Sequence, residues 1–313
     1  MLALLFPGQG SQEVGMGRDV YDASAAARAV FDLADETLGL PVRQLCFEGP
    51  EEELRRTEVQ QPAILATSIA LLRALAERVT LEPAFVAGHS LGEYGALVCA
   101  GSLDLEDALR LVHLRGRLMQ EAVAEGKGAM AAILGCGPDV VDRACERARA
   151  ETGRVVTPAN YNGPAQTVIA GDALAVEYAC ARAKEAGAKR AVALPVSAPF
   201  HCPLMQPAAE KLWPELVGTR FRAPHPPVVT NVEAQPNTDP GRIPELLRAQ
   251  VTAPVRFTEM VRHLAGAGVT RVLEVGPGRV LSGLVARIEP RLERLAVGSV
   301  DDLARAADAL SSH

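Results

Sequence analysis

Gly88-His-Ser90-Leu-Gly92 is the segment of this sequence that most directly implies covalent chemistry. It fits Gly-x-Ser-x-Gly and lies between a short apolar run, Ala84–Gly88, and a helix-like one, Leu91–Ala100. Glycines on both sides of the serine allow the sharp strand-to-helix turn that presents a hydroxyl at a helix N-terminus, where unpaired backbone N–H groups favour developing negative charge. The same pattern also suits an ordinary glycine-bounded turn with a capping serine. A serine nucleophile requires a base. His201, in Ser197-Ala-Pro-Phe-His201, follows a strand-like run. Asp239 and His263 form a rival set in the chain order serine, acid, histidine, and spacing alone does not choose between the two.

Pro7-Gly-Gln-Gly-Ser-Gln12 resembles half of a dinucleotide-binding turn. The third glycine is missing, because Gly8-x-Gly10 leads to Glu13 and Gly15-x-Gly17 leads to Val20, so nicotinamide dinucleotide binding is rejected. In acyl transfer such a loop supplies one backbone N–H to an oxyanion, and the N–H of Leu91, after the serine, supplies another. Arg115 lies in Leu111-Val-His-Leu-Arg115-Gly-Arg117, on a helix-like run with apolar residues at 111, 112, 114 and 118. Arg110, Arg115 and Arg117 read as surface residues. One of them turned inward would grip a carboxylate through two parallel N–H bonds.

These groups need a scaffold. Short strand-like runs alternate with longer helix-like ones, the pattern of an α/β protein with a mostly parallel sheet. Strands are expected at Leu2–Phe6, Ala84–Gly88, Val228–Val232 and Val269–Val275. Helices are expected over Gln61–Leu75, with Pro62 in the first turn, Leu91–Ala100 and Leu105–Ala122. The middle of the chain differs. Strand Ala129–Leu134, helix Pro138–Thr152, strands Val155–Tyr161 and Gln166–Ala170 around an Asn162-Gly-Pro164 turn, helix Leu174–Ala186 and strand Arg190–Val196 make a ferredoxin-like β-α-β-β-α-β order. The expected organisation is a large domain of residues 1–124 and 198–313 carrying a small inserted domain, 125–197, with a ligand cleft between them. Asn160 and Asn162 either line the cleft or make the turn, and the turn role is favoured.

Of the 313 residues 48% are hydrophobic and 22% charged, which excludes a disordered chain. With 32 Lys and Arg against 38 Asp and Glu, the net charge of −6 lacks the basic field of a nucleic-acid binder. Aromatics are 4%, with Trp213 the one tryptophan, which disfavours base stacking. No apolar run reads as a membrane span of roughly 18–20 residues. Met1–Phe6 has no preceding basic residue and meets Pro7-Gly8 at once, so it reads as a buried strand and not a secretory signal. Cys46, Cys99, Cys136, Cys145, Cys180 and Cys202 include no Cys-x-x-Cys pair, and the six histidines include no His-Glu-x-x-His. No metal site is expected, and a reducing cytoplasmic location is.

Taken together, the motifs resemble the malonyl-CoA:acyl carrier protein transacylase family, shared with the acyltransferase domains of polyketide synthases. Phe6-Pro-Gly-Gln-Gly-Ser-Gln12, Gln61-Pro-Ala63, Gly88-His-Ser-Leu-Gly-Glu-Tyr94 and Arg110-Leu-Val-His-Leu-Arg-Gly116 match in order. Gly128-Ala-Met-Ala-Ala132, Asn160-Tyr-Asn162, Gln166-Thr-Val-Ile-Ala-Gly171, Pro199-Phe-His201, Gln250-Val-Thr-Ala-Pro-Val-Arg-Phe257 and Glu274-Val-Gly-Pro-Gly278 follow. The resemblance implies a hydrolase-like fold with a ferredoxin-like insert. It implies Ser90 as nucleophile and His201 as base, in place of the Asp239 and His263 set. Gln9 and Leu91 are implied as backbone oxyanion donors and Arg115 as the clamp on the substrate carboxylate. Gln250 is implied to orient His201 through its main-chain carbonyl, giving a Ser–His dyad in which a backbone oxygen replaces the third carboxylate.

The implied reaction is ping-pong transfer of malonyl from malonyl-CoA to the phosphopantetheine thiol of acyl carrier protein, through a malonyl-serine ester and with no metal or bound cofactor. Phe200 matches malonyl-selective members, methylmalonyl-selective ones having a smaller residue there. A monomer is expected, with no nucleic-acid or membrane partner. The carrier protein is acidic, so a local basic patch is expected to receive it, with Lys189 and Arg190 among the candidates. Other readings are a free-standing acyltransferase of a polyketide synthase, a serine esterase or thioesterase with a carboxylate behind its histidine, and a carrier-docking subunit without turnover.

Overall fold

The computed structural model describes residues 1–124, 126–196 and 198–311. Its strands are β1 (Leu2–Phe6), β2 (Phe85–Gly88), β3 (Gly128–Leu134), β4 (Val156–Gly163), β5 (Gln166–Asp172), β6 (Arg190–Ala193), β7 (Val228–Val229), β8 (Pro236–Asn237), β9 (Arg271–Val275) and β10 (Glu293–Val297). They form two sheets. The first has the order β10-β9-β1-β2-β7-β8 and is parallel except for the β7–β8 pair. The second has the order β4-β5-β3-β6 and is antiparallel throughout. Glu125 and Ser197, the limits expected for an inserted domain, lie outside the described residues.

The first strand shows why its sequence is apolar without alternation. Side chains along a strand point to opposite faces, and a parallel sheet is covered on both. Leu4 and Phe6 enter the larger core, while Ala3 and Leu5 enter a second core with Phe257, Met260 and Val285. The antiparallel sheet closes a third core against helices Pro138–Thr152 and Ala173–Glu185, around Ile133, Val141, Cys145, Ile169 and Ala179.

Helix Thr57–Ala76 has the length and composition to cross a membrane, which the sequence reading did not anticipate. Here it is buried on almost every side by protein, as a central core helix must be. Because it begins at Thr57, Pro62 lies inside it and not in the first turn. A proline there cannot donate to the carbonyl four residues back. That carbonyl, of Glu58, instead accepts from Nδ1 of His113 at 2.9 Å. His113 belongs to helix Leu105–Glu121, and on the same helix a Cβ on Gly116 would lie 2.5 Å from the Thr57 carbonyl oxygen. The two helices therefore meet in near backbone contact, with Arg115 beside that contact.

Several expected bounds shift. β7 stops at Val229, and residues 230–235 fold into a turn in which Thr230 N–H donates to Gln235 O and Ala234 takes φ 54°. β6 stops at Ala193, before Pro195. The β4–β5 turn is made by Pro164 and Ala165, not by Asn162 and Gly163, which lie within β4. The alternation read from the sequence also omits β10 and helices Ala25–Leu38, Gln206–Gly218, Ile243–Thr252, Phe257–Gly266, Val280–Ile288 and Val300–Ser311. β4 is bonded outside its own sheet to Val255, in the segment after helix Ile243–Thr252, whose N–H and C=O bond to Ala159 O and Tyr161 N, both at 2.9 Å.

Gly92 opens the helix after β2, and a Cβ there would stand 2.0 Å from the main-chain oxygen of Phe6 in β1. Backbone cannot retreat as a side chain can. Gly92→Ala is expected to destabilise the protein by about 3 kcal/mol, read as a lower Tm; an unchanged Tm would show that the helix and β1 are not so closely apposed.

Candidate active site

Ser90 sits in the turn between β2 and helix Gly92–Cys99 with φ 52°, a left-handed conformation that a residue with a Cβ adopts only when its surroundings impose it. The restraints are visible. Ser90 N–H donates to Asn231 Oδ1 at 2.6 Å, and Asn231 Nδ2 donates to Gly88 O at 2.7 Å. One side-chain amide thus grips the turn on either side of the serine. Asn231 was not among the residues singled out from the sequence. It becomes available because β7 ends early, and no spacing signal marks that.

His201 also has positive φ, 58°, and its Nε2 lies 2.7 Å from Ser90 Oγ. Its Nδ1 lies 2.7 Å from the main-chain oxygen of Gln250. A carbonyl can only accept, so Nδ1 carries the proton and Nε2 is left to accept from the serine hydroxyl. The Gln250 carbonyl is free for a local reason. It lies in the last turn of helix Ile243–Thr252, and the residue four positions on is Pro254, which has no N–H. Burial, and then the positive charge of Arg115, push the imidazole down to about 3, so His201 is neutral. Asp239 and His263 are elsewhere: Asp239 caps a short turn through Gly241 N–H at 2.8 Å, and His263 packs edge-on to Phe85.

Of the three arginines, Arg115 is fully buried, contrary to the surface reading, whereas Arg110 and Arg117 are exposed. Arg115 Nη1 donates to Gln61 Oε1 at 2.7 Å; Nη2 donates to Gln250 Oε1 at 2.9 Å and to Ser90 Oγ at 3.1 Å. All three acceptors are uncharged. Among the described residues no carboxylate forms an ion pair with it, and its Nε–H has no partner. Burial lowers its pKa, against the pull of the nearby Glu93 charge. A buried cation with no counter-ion in contact is costly, and a ligand carboxylate at this point would relieve that cost beside the nucleophile.

The serine and histidine open into a cleft of about 390 Å³. Gln9, Gly10, His89 and Phe200 line it from the large sheet's loops, and Met130, Asn160 and Leu194 from the antiparallel sheet and its exit. Among the described residues no acceptor engages the backbone N–H of Gln9 or of Leu91. Asn160 is a buried cleft wall and not a turn residue, and Asn162 Oδ1 meets His89 Nε2 at 2.8 Å. Phe200 is buried directly before the histidine.

The pattern of the acyl transferase domain matches residues 3–291. The chain belongs to the acyl transferase domain family. The malonyl CoA-acyl carrier protein transacylase of Escherichia coli is 49% identical over 306 residues, 98% of each chain. That of Bacillus subtilis is 48% identical over 309 residues, 99% of this chain and 97% of its own. A solved acyl carrier protein S-malonyltransferase from Vibrio cholerae has a TM-score of 0.95 at 48% identity, covering 97% of this chain and 99% of that one. A solved malonyl-transacylase in complex with a type II polyketide acyl-carrier protein has a TM-score of 0.95 at 47% identity, covering 98% and 99%.

For this acyltransferase the lowered His201 pKa has a measurable sign. Below the ordinary value of 6.5 the unfolded chain takes up a proton that the folded one refuses until about pH 3, so His201 draws stability away as pH falls through that window. His201→Asn removes this drain. The Tm of the variant relative to the parent is expected to rise as pH is lowered from about 7.5 to about 5; a pH-independent difference would mean that the buried imidazole titrates normally.

Proposed function

We propose that this acyltransferase moves a malonyl group from malonyl-CoA to the phosphopantetheine thiol of an acyl carrier protein, through a malonyl ester on Ser90. One observation carries the reading: the buried guanidinium of Arg115, which no carboxylate of the described residues contacts, lies 3.1 Å from the Ser90 hydroxyl. A carboxylate held there puts the carbonyl of a short dicarboxylic acyl chain beside the nucleophile, which is where orientation lowers a barrier most.

The malonyl carboxylate pairs with Arg115, and the thioester oxygen turns toward the N–H groups of Gln9 and Leu91. Pairing also weakens the positive field on His201, one of the two main causes of its low basicity, so the right substrate makes the base stronger. His201 Nε2 takes the hydroxyl proton as Ser90 Oγ bonds to the carbonyl carbon. The tetrahedral adduct collapses, the carbon–sulfur bond breaks, and CoA leaves as the thiol with the proton from His201. In the second half the carrier thiol gives its proton to His201 and attacks the ester. Ser90 Oγ departs and recovers the proton. The peptide oxygen of Gln250 keeps Nδ1 protonated throughout.

A serine esterase or thioesterase reading requires a carboxylate behind the histidine, and Gln250 O occupies that position. Water must be kept from the ester, and burial of Ser90 and His201 at the foot of the cleft favours that. Fatty-acid synthesis is the process served; a polyketide carrier presents the same thiol. No resident cofactor enters the proposal, and every participating group comes from one chain. Action in the cytoplasm is part of the proposal, supported by six cysteines without a disulfide.

Mass spectrometry after incubation with malonyl-CoA should find a malonyl adduct on the Ser90 peptide that disappears when acyl carrier protein is added. Free malonate without an adduct would instead indicate a hydrolase. Arg115→Ala is expected to cut malonyl kcat/KM by at least about 30-fold, the lower end of what losing a buried charge partner costs, while acetyl transfer rises relative to it. Phe200→Ser should shift the malonyl-to-methylmalonyl ratio toward the branched donor; an unmoved ratio would remove Phe200 from the selectivity wall.

A further inference from the structure

Beneath the nucleophile turn lies a buried carboxylate that the mechanism above does not use. Glu93 is in the first turn of helix Gly92–Cys99 and is 3% exposed. Among the described residues it has no ion pair. Its Oε2 accepts from Gln250 Nε2 at 2.6 Å and from Asn231 N–H at 3.2 Å. Burial pushes its pKa up to about 7, and those two donors and the Arg115 charge oppose that shift.

The partners of Glu93 are the residues that hold everything else. The Gln250 side chain donates through Nε2 to Glu93 and to Ser90 O at 3.0 Å, and accepts through Oε1 from Arg115 Nη2. An amide has one donor end and one acceptor end. With Glu93 and the Ser90 carbonyl as acceptors on one side and a guanidinium on the other, one orientation satisfies all three contacts, and its reverse satisfies none. The main-chain oxygen of the same Gln250 receives the His201 proton. Asn231, the other partner, grips the Ser90 turn.

We propose that Glu93 is a positioning residue for acyl selection: by fixing the Gln250 amide it keeps Arg115 aimed at the space beside Ser90. The proposal rests on the malonyl-transfer reading. Without the carboxylate the NH2 end keeps one acceptor, the Ser90 carbonyl, in place of two, the amide is held less firmly against the guanidinium, and the carboxylate clamp drifts off its place. A carboxylate that only favoured the N-terminus of its helix would affect stability and leave the choice of acyl group alone.

The test compares the parent protein with Glu93→Ala, Glu93→Gln, Gln250→Leu and the Glu93→Ala/Gln250→Leu pair. The measurements are kcat and KM for malonyl-CoA and acetyl-CoA, with Tm alongside. Glu93→Ala is expected to lower malonyl kcat/KM about 100-fold and the malonyl-to-acetyl ratio about tenfold, as for loss of a buried charged hydrogen bond. Glu93→Gln, whose amide oxygen can accept both N–H bonds, should return the ratio to within about threefold of the parent. The double variant should have the ratio of Gln250→Leu alone, because Glu93 acts on selection through that side chain. Equal losses for both donors in Glu93→Ala, or a further fall in ratio in the double variant, would overturn the proposal. Should Glu93→Ala not fold, Glu93→Leu fills the space and carries the same expectation. Absence of a malonyl adduct on the parent's Ser90 would overturn the transfer reading instead.

Discussion

Arg115 brings a full positive charge into a place with no carboxylate in contact with it, and much of the surrounding structure exists to hold it there. Gln61 comes from the buried helix Thr57–Ala76, Gln250 from helix Ile243–Thr252 and Ser90 from the β2 turn. Three separate elements must arrive together before the guanidinium has any acceptor. The near backbone contact of Gly116 with Thr57 sets the depth of its own helix. The same charge depresses the basicity of His201 and steadies Glu93 as a carboxylate. Affinity for a dicarboxylic acyl group and readiness of the base are therefore two effects of one buried cation.

The cleft depends on a second arrangement. Nucleophile, histidine and arginine all come from elements around the parallel sheet, while Met130 and Asn160 come from the antiparallel one and Leu194 from the residue that follows its last strand. Val255 ties β4 to the stretch that follows the Gln250 helix, and His89 ties the nucleophile turn to Asn162 on β4. The wall of the cleft is thus bonded to the same two segments that carry the chemistry.

Much of this could be read from residue order. The Gly-x-Ser-x-Gly turn was legible because its geometry demands glycine: a Cβ on Gly88 would lie 1.9 Å from the Gly92 backbone. The ferredoxin-like run was legible because its strands and helices are long and locally patterned. Arg115 was ambiguous, since its helix carries arginines on more than one face and the acceptors that turn one inward lie about 54 and 135 residues away along the chain. Asn231 and Glu93 were not singled out, because their value lies in contacts across more than a hundred residues. The Asp239 and His263 alternative could be set aside only on the family resemblance, and the distances between side chains now separate the two sets directly. Asn160 and Asn162 were misread because asparagine beside Gly-Pro favours turns locally, whereas here pairing with β5 and the bond to His89 prevail.

Two prolines act in the same unobtrusive way. Pro62, inside its helix, and Pro254, just past the end of its own, each lack an N–H, and in each case the carbonyl four residues upstream receives a histidine Nδ1–H, Glu58 from His113 and Gln250 from His201. The second case has a lasting consequence. A peptide oxygen has no rotamers, does not titrate in water, and is encoded by every codon. The support behind His201 therefore survives any side-chain replacement at position 250 that keeps the helix end in place. Drift can erode the selection of the acyl group long before it disturbs the tautomer of the base.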